Sequence, residues 1–196
     1  MTTGEGGAVT TSHEDMASFV KKARFHRIDR EAFNRFTKKG SQHYDVVLPG
    51  FKYNMMDLQA AIGLGQLKAL DNLNAKRERI ATKYRAALSN IENFTLAKPP
   101  TFEHRHSYHL ISALVPLGKQ DLFIEAMKKR NIGIGLHYEP VHLYTYYREH
   151  FGFQSGDCPI AEDVSQRIIS LPLFPNMTEN ELDIVVESIQ EVVKTL

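Results

Sequence analysis

Apolar positions recur along this chain with a helical period, then in short runs, then with a helical period again. Ser12 has Asp15 three residues on, the arrangement of a capping box, and Met16, Phe19, Val20 and Ala23 follow at i, i+3, i+4 and i+7. The pattern predicts a first helix over residues 13–26. Before it, the turn at Gly6-Gly7 leads into the strand-like run Ala8-Val9-Thr10-Thr11. Residues 27–46 are polar, basic and aperiodic and read as a long surface segment, closed by Pro49-Gly50. A second helix is predicted from 55 to 90, with Asn54 as its cap and Asp57 in its first turn. It is either continuous or broken near Leu73-Asn74. Glycine costs ~1 kcal/mol inside a helix. Gly63 and Gly65 therefore imply a close backbone approach, by a partner subunit or by the same chain. The second half carries a stripe at Ile80, Tyr84, Ala87, Leu88 and Ile91.

From residue 93 onward the pattern alternates. Strands are predicted at 108–115, 134–138 and 169–173, and helices at 119–130, 144–150 and 159–168. Thr178 and Glu181 form a capping box, with Met177 and Leu182 placed as a hydrophobic staple around it. The final helix lines Leu182, Val185, Val186, Ile189, Val193 and Leu196 on one face. Short strands alternating with helices give a small α+β layer domain within an α/β chain.

Composition narrows the class. The 196 residues are 42% hydrophobic, enough for a real core, and net charge is +1, so no global field favours nucleic acid or a membrane surface. No apolar run approaches the roughly 18 residues of a membrane span. The lone Cys158 cannot form an intrachain disulfide. The reading is a cytoplasmic protein without a membrane or nucleic-acid partner. Between Lys21 and Lys39, eight basic residues face two acids, either a solvated surface or a phosphate-facing one. Nine histidines invite a metal reading, but none of their spacings is completed by acid or cysteine, so no metal site is expected. Gly4-Glu5-Gly6-Gly7 lacks the lysine and following helix of a Walker loop.

Three stretches carry more specific information: TTGEGGAVTT at 2–11, GFKYNMMDLQAAIGLGQL at 50–67, and NIGIGLHYEPVHLYTYYRE at 131–149 continuing to IISLPLFPNMTENEL at 168–182. Together and in this order they resemble the DegT/DnrJ/StrS-type pyridoxal-phosphate sugar aminotransferases, from residue 2 to about 192. The resemblance implies the C-terminal part of a fold type I aminotransferase. Residues 1–50 would be the end of the cofactor-binding large domain. Residues 51–92 would be a bridging, dimer-interface helix, and 93–196 a small C-terminal domain with a short sheet packed by helices. In such enzymes the TTGEGG turn directly follows the lysine that holds pyridoxal 5′-phosphate as a Schiff base. That lysine is expected just upstream of Met1, so no catalytic residue is assigned within this chain, and the chain alone is expected to be inactive.

The resemblance also implies a homodimer in which the GFKYN turn reaches the neighbouring site. Asn54 would contact the cofactor phosphate there, flanked by Lys52 and Tyr53; the competing reading makes Asn54 only a helix cap. GLHYEPVH would border the sugar pocket, with His142 near the substrate and His137 and Tyr138 beside it; alternatively His137 packs under Tyr138. Tyr144, Tyr146 and Tyr147 either stack on sugar or base or pack ordinarily. The implied activity moves an amino group, commonly from glutamate, to a keto nucleotide sugar in polysaccharide or deoxyamino-sugar synthesis. Two alternatives remain: a sugar dehydratase (deoxygenase) of the same family, which carries histidine in place of the lysine, and a non-catalytic dimerisation or regulatory module.

Overall fold

The computed structural model describes residues 1–27, 46 and 48–196. Most of the basic, aperiodic segment, including Arg30, Arg35, Lys38 and Lys39, lies outside the described residues. Contacts group the chain into two units, Met1–Leu70 and Asp71–Leu196.

The first unit begins with the Gly-rich turn. Thr3 Oγ1 donates to Glu5 O at 2.8 Å, and Gln59 Nε2 donates to the same carbonyl at 2.9 Å. Residues 6–11 form no strand among the described residues, because no neighbouring strand there supplies a hydrogen-bonded ladder. Helix α1 spans Glu14–Ala23 and is shorter than its pattern suggested. Its N-cap is His13, not Ser12, and no side chain caps it; Thr11 Oγ1 instead accepts from His13 N at 3.1 Å. No residue of α1 is buried.

Helix α2 runs unbroken over Asp57–Leu88. Its entry corrects the capping assignment. Met56 N donates to Gln59 Oε1 at 3.1 Å, while Asn54 Oδ1 is occupied by Lys52 Nζ at 2.7 Å. A glutamine three residues into the helix thus does the capping, and Asn54 stands outside the cap. The glycines divide: a Cβ on Gly63 would meet Thr3 Cγ2 at 3.2 Å, so the close neighbour is intrachain, whereas Gly65 faces open space.

The second unit holds the core. Ile80, Ala81, Tyr84 and Leu88 of α2 are buried; Ala87 is exposed, since Ala81 rather than Ala87 shares the inward face. They pack with β1 (Thr95–Leu96), β2 (Ser112–Leu114) and β3 (Ile168–Ser170), which form an antiparallel sheet in that order. Register pairs Leu96 with Ala113 and Ala113 with Ile169. Helix α3 (Gln120–Lys129) contributes Phe123 and Met127, and α6 (Glu179–Val193) contributes Leu182, Val185, Ile189 and Val192. Strand 134–138 contracts to one bridge, Gly135 to Ser170. The tyrosine-rich segment becomes a 3₁₀ turn, Val141–Leu143, followed by α4 (Thr145–Phe151), and α5 spans Pro159–Ser165. The capping box at Thr178 and Glu181 is formed, and Met177 and Leu182 are both buried beside it.

Tyr84 links the core to its edge. It is fully buried and its hydroxyl donates to Pro172 O at 2.9 Å; burial pushes its phenol far above the ordinary range, so it stays neutral. Replacing it by phenylalanine leaves that carbonyl unpaired in an apolar setting. Tyr84→Phe should lower unfolding free energy by about 1–2 kcal/mol, read from urea denaturation at neutral pH.

Candidate functional site

Two groups of chemistry-bearing side chains stand out, one in each unit. In the first unit the chain after Gly50 lies along the end of α1. Phe51 N donates to Ala23 O at 2.8 Å, His26 N to Phe51 O at 2.9 Å and Tyr53 N to Arg24 O at 2.7 Å. Gly50 is required here: a Cβ would come within 2.4 Å of Arg27 N. This clasp presents Lys52, Tyr53 and Asn54 on one edge of an open groove of about 1050 Å³. Lys21 and Arg24 at the α1 end, the segment from Glu5 to Thr11, Met55 and Gln59 also line it, with Ala17 and Val20 of α1. Lys52 Nζ sits 4.2 Å from the Phe25 ring centroid while bonding Asn54 Oδ1. The carboxamide therefore aims its oxygen at the ammonium and keeps its two N–H donors for another acceptor. Tyr53 stacks flat on Phe51, with centroids 4.8 Å apart, and is 72% exposed. Cations with neutral N–H donors are the donor set a phosphate monoester needs, so the residues present fit the phosphate of pyridoxal 5′-phosphate.

The second unit holds His137, Tyr138 and His142, and the two histidines take different partners. His137 Nδ1 lies 2.9 Å from Ser170 Oγ, on the strand residue that also pairs with Gly135. A Cβ on Gly135 would meet the His137 ring at 2.6 Å, so the ring occupies the space a side chain there would fill. Tyr138 contacts that ring edge-on at 4.9 Å and is 71% exposed. His142 is nearly buried, 8% exposed, in the 3₁₀ turn, and its Nε2 is 2.9 Å from Glu162 Oε1. The Phe153 ring closes on it edge-on at 6.3 Å. Tyr146 stacks on His150 at 4.3 Å, and Tyr147 on Phe151 at 6.0 Å.

Glu162 was not singled out by sequence pattern. Its carboxylate also accepts from Gly156 N at 2.8 and 3.0 Å, Ser155 Oγ at 3.0 Å and Cys158 N at 3.2 Å. The local half was legible: a glutamate in the first turn after Pro159, preceded by the Ser155-Gly156 turn. The link to His142, 20 residues away, was not. The bond with His142 first, then those from Gly156, Ser155 and Cys158, hold Glu162 at about 2, well below its ordinary 4.5.

A depressed carboxyl stabilises the fold fully above its unfolded value of 4.5, and that contribution is lost as pH falls toward about 2. Glu181, lowered mainly by the Thr178 backbone bond, acts in the same direction. Urea midpoints should therefore drop between pH 5 and 2. Glu162→Gln should lower the midpoint at pH 7 and flatten that acid slope, with Glu181 supplying what slope remains.

Comparison with known proteins gives this geometry a context. Residues 1–190 match the DegT/DnrJ/EryC1/StrS aminotransferase family. The spore coat polysaccharide biosynthesis protein SpsC of Bacillus subtilis (strain 168) is 40% identical over 202 residues, covering 99% of this chain and 51% of SpsC. The UDP-4-amino-4-deoxy-L-arabinose–oxoglutarate aminotransferase of Shewanella sediminis is 35% identical over 201 residues, covering 98% of this chain and 52% of that protein. Among solved structures, Spr1654 of Streptococcus pneumoniae, assigned as a sugar aminotransferase and solved in its PMP-form, superposes with a TM-score of 0.84 at 26% identity, over 96% of this chain and 47% of that one. The chain spans about half the length of the curated relatives it matches. A match over residues 1–190 leaves almost none of it unaccounted for, and the chain belongs to the DegT/DnrJ/EryC1/StrS aminotransferase family.

Proposed function

We propose that this chain forms part of a pyridoxal-phosphate-dependent aminotransferase that moves an amino group from glutamate to a keto nucleotide sugar for polysaccharide or deoxyamino-sugar synthesis. The observation that carries the reading is the family match over residues 1–190. It is supported by a relative named for a UDP-amino-sugar and oxoglutarate, and by another named for polysaccharide synthesis. When bound, the cofactor supplies an electron sink and a carrier for the amino group. The lysine that would anchor it lies outside these 196 residues in this reading.

The chain's own residues have three tasks. Lys52 neutralises phosphate charge, and Asn54, its oxygen already taken by Lys52, donates N–H to a phosphate oxygen. In a homodimer this edge serves the neighbouring subunit's site, and Tyr53 covers it. His142, His137 and Tyr138 border the sugar, and between them they orient its hydroxyl or diphosphate oxygens. The bound ends of the substrate are thereby held while the amino group moves.

The test is amino transfer by the protein from its native source, supplied with pyridoxal 5′-phosphate, glutamate and a UDP-4-keto-hexose, with the sugar product read by mass spectrometry. A glutamate-dependent amino sugar is the expected product. A deoxygenated sugar would replace the proposal with the dehydratase reading, and an unchanged substrate would overturn it. Lys52→Ala should weaken cofactor affinity about tenfold, the loss of one charge-assisted contact, seen as a shift in the cofactor concentration that restores activity.

A further inference from the structure

Glu162 makes more hydrogen bonds than any other carboxylate among the described residues, and it is tied to a histidine that the preceding reading places at the sugar. Its two oxygens accept from Gly156, Ser155 and Cys158, and the remaining partner is His142 Nε2. The side chain is 12% exposed. An ionised carboxylate has no hydrogen to give. The hydrogen in the His142–Glu162 bond must therefore sit on Nε2. In the neutral ring this leaves Nδ1 with its lone pair, and among the described residues Nδ1 has no partner.

We propose that Glu162 is a positioning residue: it fixes His142 as the Nε2–H tautomer and ties the Ser155–Cys158 turn to the ring, so that Nδ1 is the nitrogen offered to a hydroxyl of the sugar substrate. The proposal rests on the reading of His142 as a pocket residue. The device has three anchored parts. The 3₁₀ turn carries His142, the chain after α4 folds Phe153 back against its ring, and α5 carries Glu162 in its first turn. Neither ring rotation nor a tautomer switch is free while the carboxylate holds Nε2, because the first would replace the N–H donor by a C–H and the second would set a lone pair against a charge. The imidazole thus meets the sugar as an acceptor of fixed direction. A substrate hydroxyl matches it and an oxygen without hydrogen does not, which gives the pocket a means to discriminate between the two.

The test uses the full chain, ¹⁵N-labelled at histidine, in alkaline buffer. Long-range ¹H–¹⁵N spectra report each tautomer. The wild-type His142 should be Nε2–H; Nδ1–H overturns the proposal without any variant. Glu162→Ala should mix the tautomers, and Glu162→Gln, whose carbonyl still accepts from Nε2, should keep Nε2–H. A Glu162→Ala spectrum identical to wild type overturns the proposal, and if that variant does not fold, the wild-type and Gln spectra decide. UDP-glucose is the binding probe. His142→Ala and Glu162→Ala should each weaken it about tenfold, and the double variant should be no weaker than His142→Ala alone, since Glu162 acts through the ring. An additive loss overturns the positioning role. If UDP-glucose leaves the His142 signals unmoved and His142→Ala binds it unchanged, the pocket reading fails, while the tautomer result still judges the Glu162–His142 bond on its own.

Discussion

The burial of a single stripe of α2 organises the unit that begins at Asp71. Ile80, Tyr84 and Leu88 lie one turn apart with Ala81 beside them, are almost wholly removed from water, and share one buried cluster with Phe123 and Met127 of α3, Ile169 of β3 and Ile189 of α6. Each large side chain buried there is worth roughly 1.5–3 kcal/mol in transfer from water, and no other buried cluster in the unit competes with it. The sheet is too short to stand alone: its strands run two or three residues, and an isolated ribbon of that size is not stable in water. It persists because helices cover it. Tyr84 fastens the arrangement, since its hydroxyl donates to the Pro172 carbonyl just past β3.

That anchoring also fixes the residues that follow β2. Gly135 pairs with Ser170 across the sheet edge, and Ser170 in turn holds the His137 ring. His142 follows within one short turn and is held from the far side by Glu162. Both imidazoles are thus fixed by groups on or just before the sheet's last strand, not by their own neighbours in sequence. Ion pairs elsewhere in the unit are of another kind. Arg79 and Lys83 both meet Glu179, but all three are about half exposed, and such pairs contribute little.

The first unit works by different means. It buries little, and α1 has no buried residue. Its order comes from backbone bonds between the end of α1 and residues 51–53, and from Gln59 and Gln66 of α2 reaching the Gly-rich turn. Such a clasp holds a few polar side chains in place while leaving an open groove beside them, which suits a surface that meets a phosphate.

Local interactions made much of this legible in the sequence. The 3.6-residue period marked α3 and α6, the Thr178–Glu181 box formed as its spacing required, and the ordered motifs pointed to the family, because caps, periods and turns depend on residues within four positions of one another. Where the local reading failed, another local bond had won: Lys52, two residues away, claimed the oxygen that made Asn54 look like a cap, and Gln59 took over the role. Strand 134–138 shrank to one bridge for want of a neighbour along its length. The sequence by itself determined the main helices, the Thr178–Glu181 capping box and the family. Only the tertiary structure decided that α2 runs unbroken, that Ala81 rather than Ala87 faces the core, and that Glu162 holds His142, because burial and a charge-assisted bond across 20 residues depend on where the folded chain returns, which no local pattern encodes.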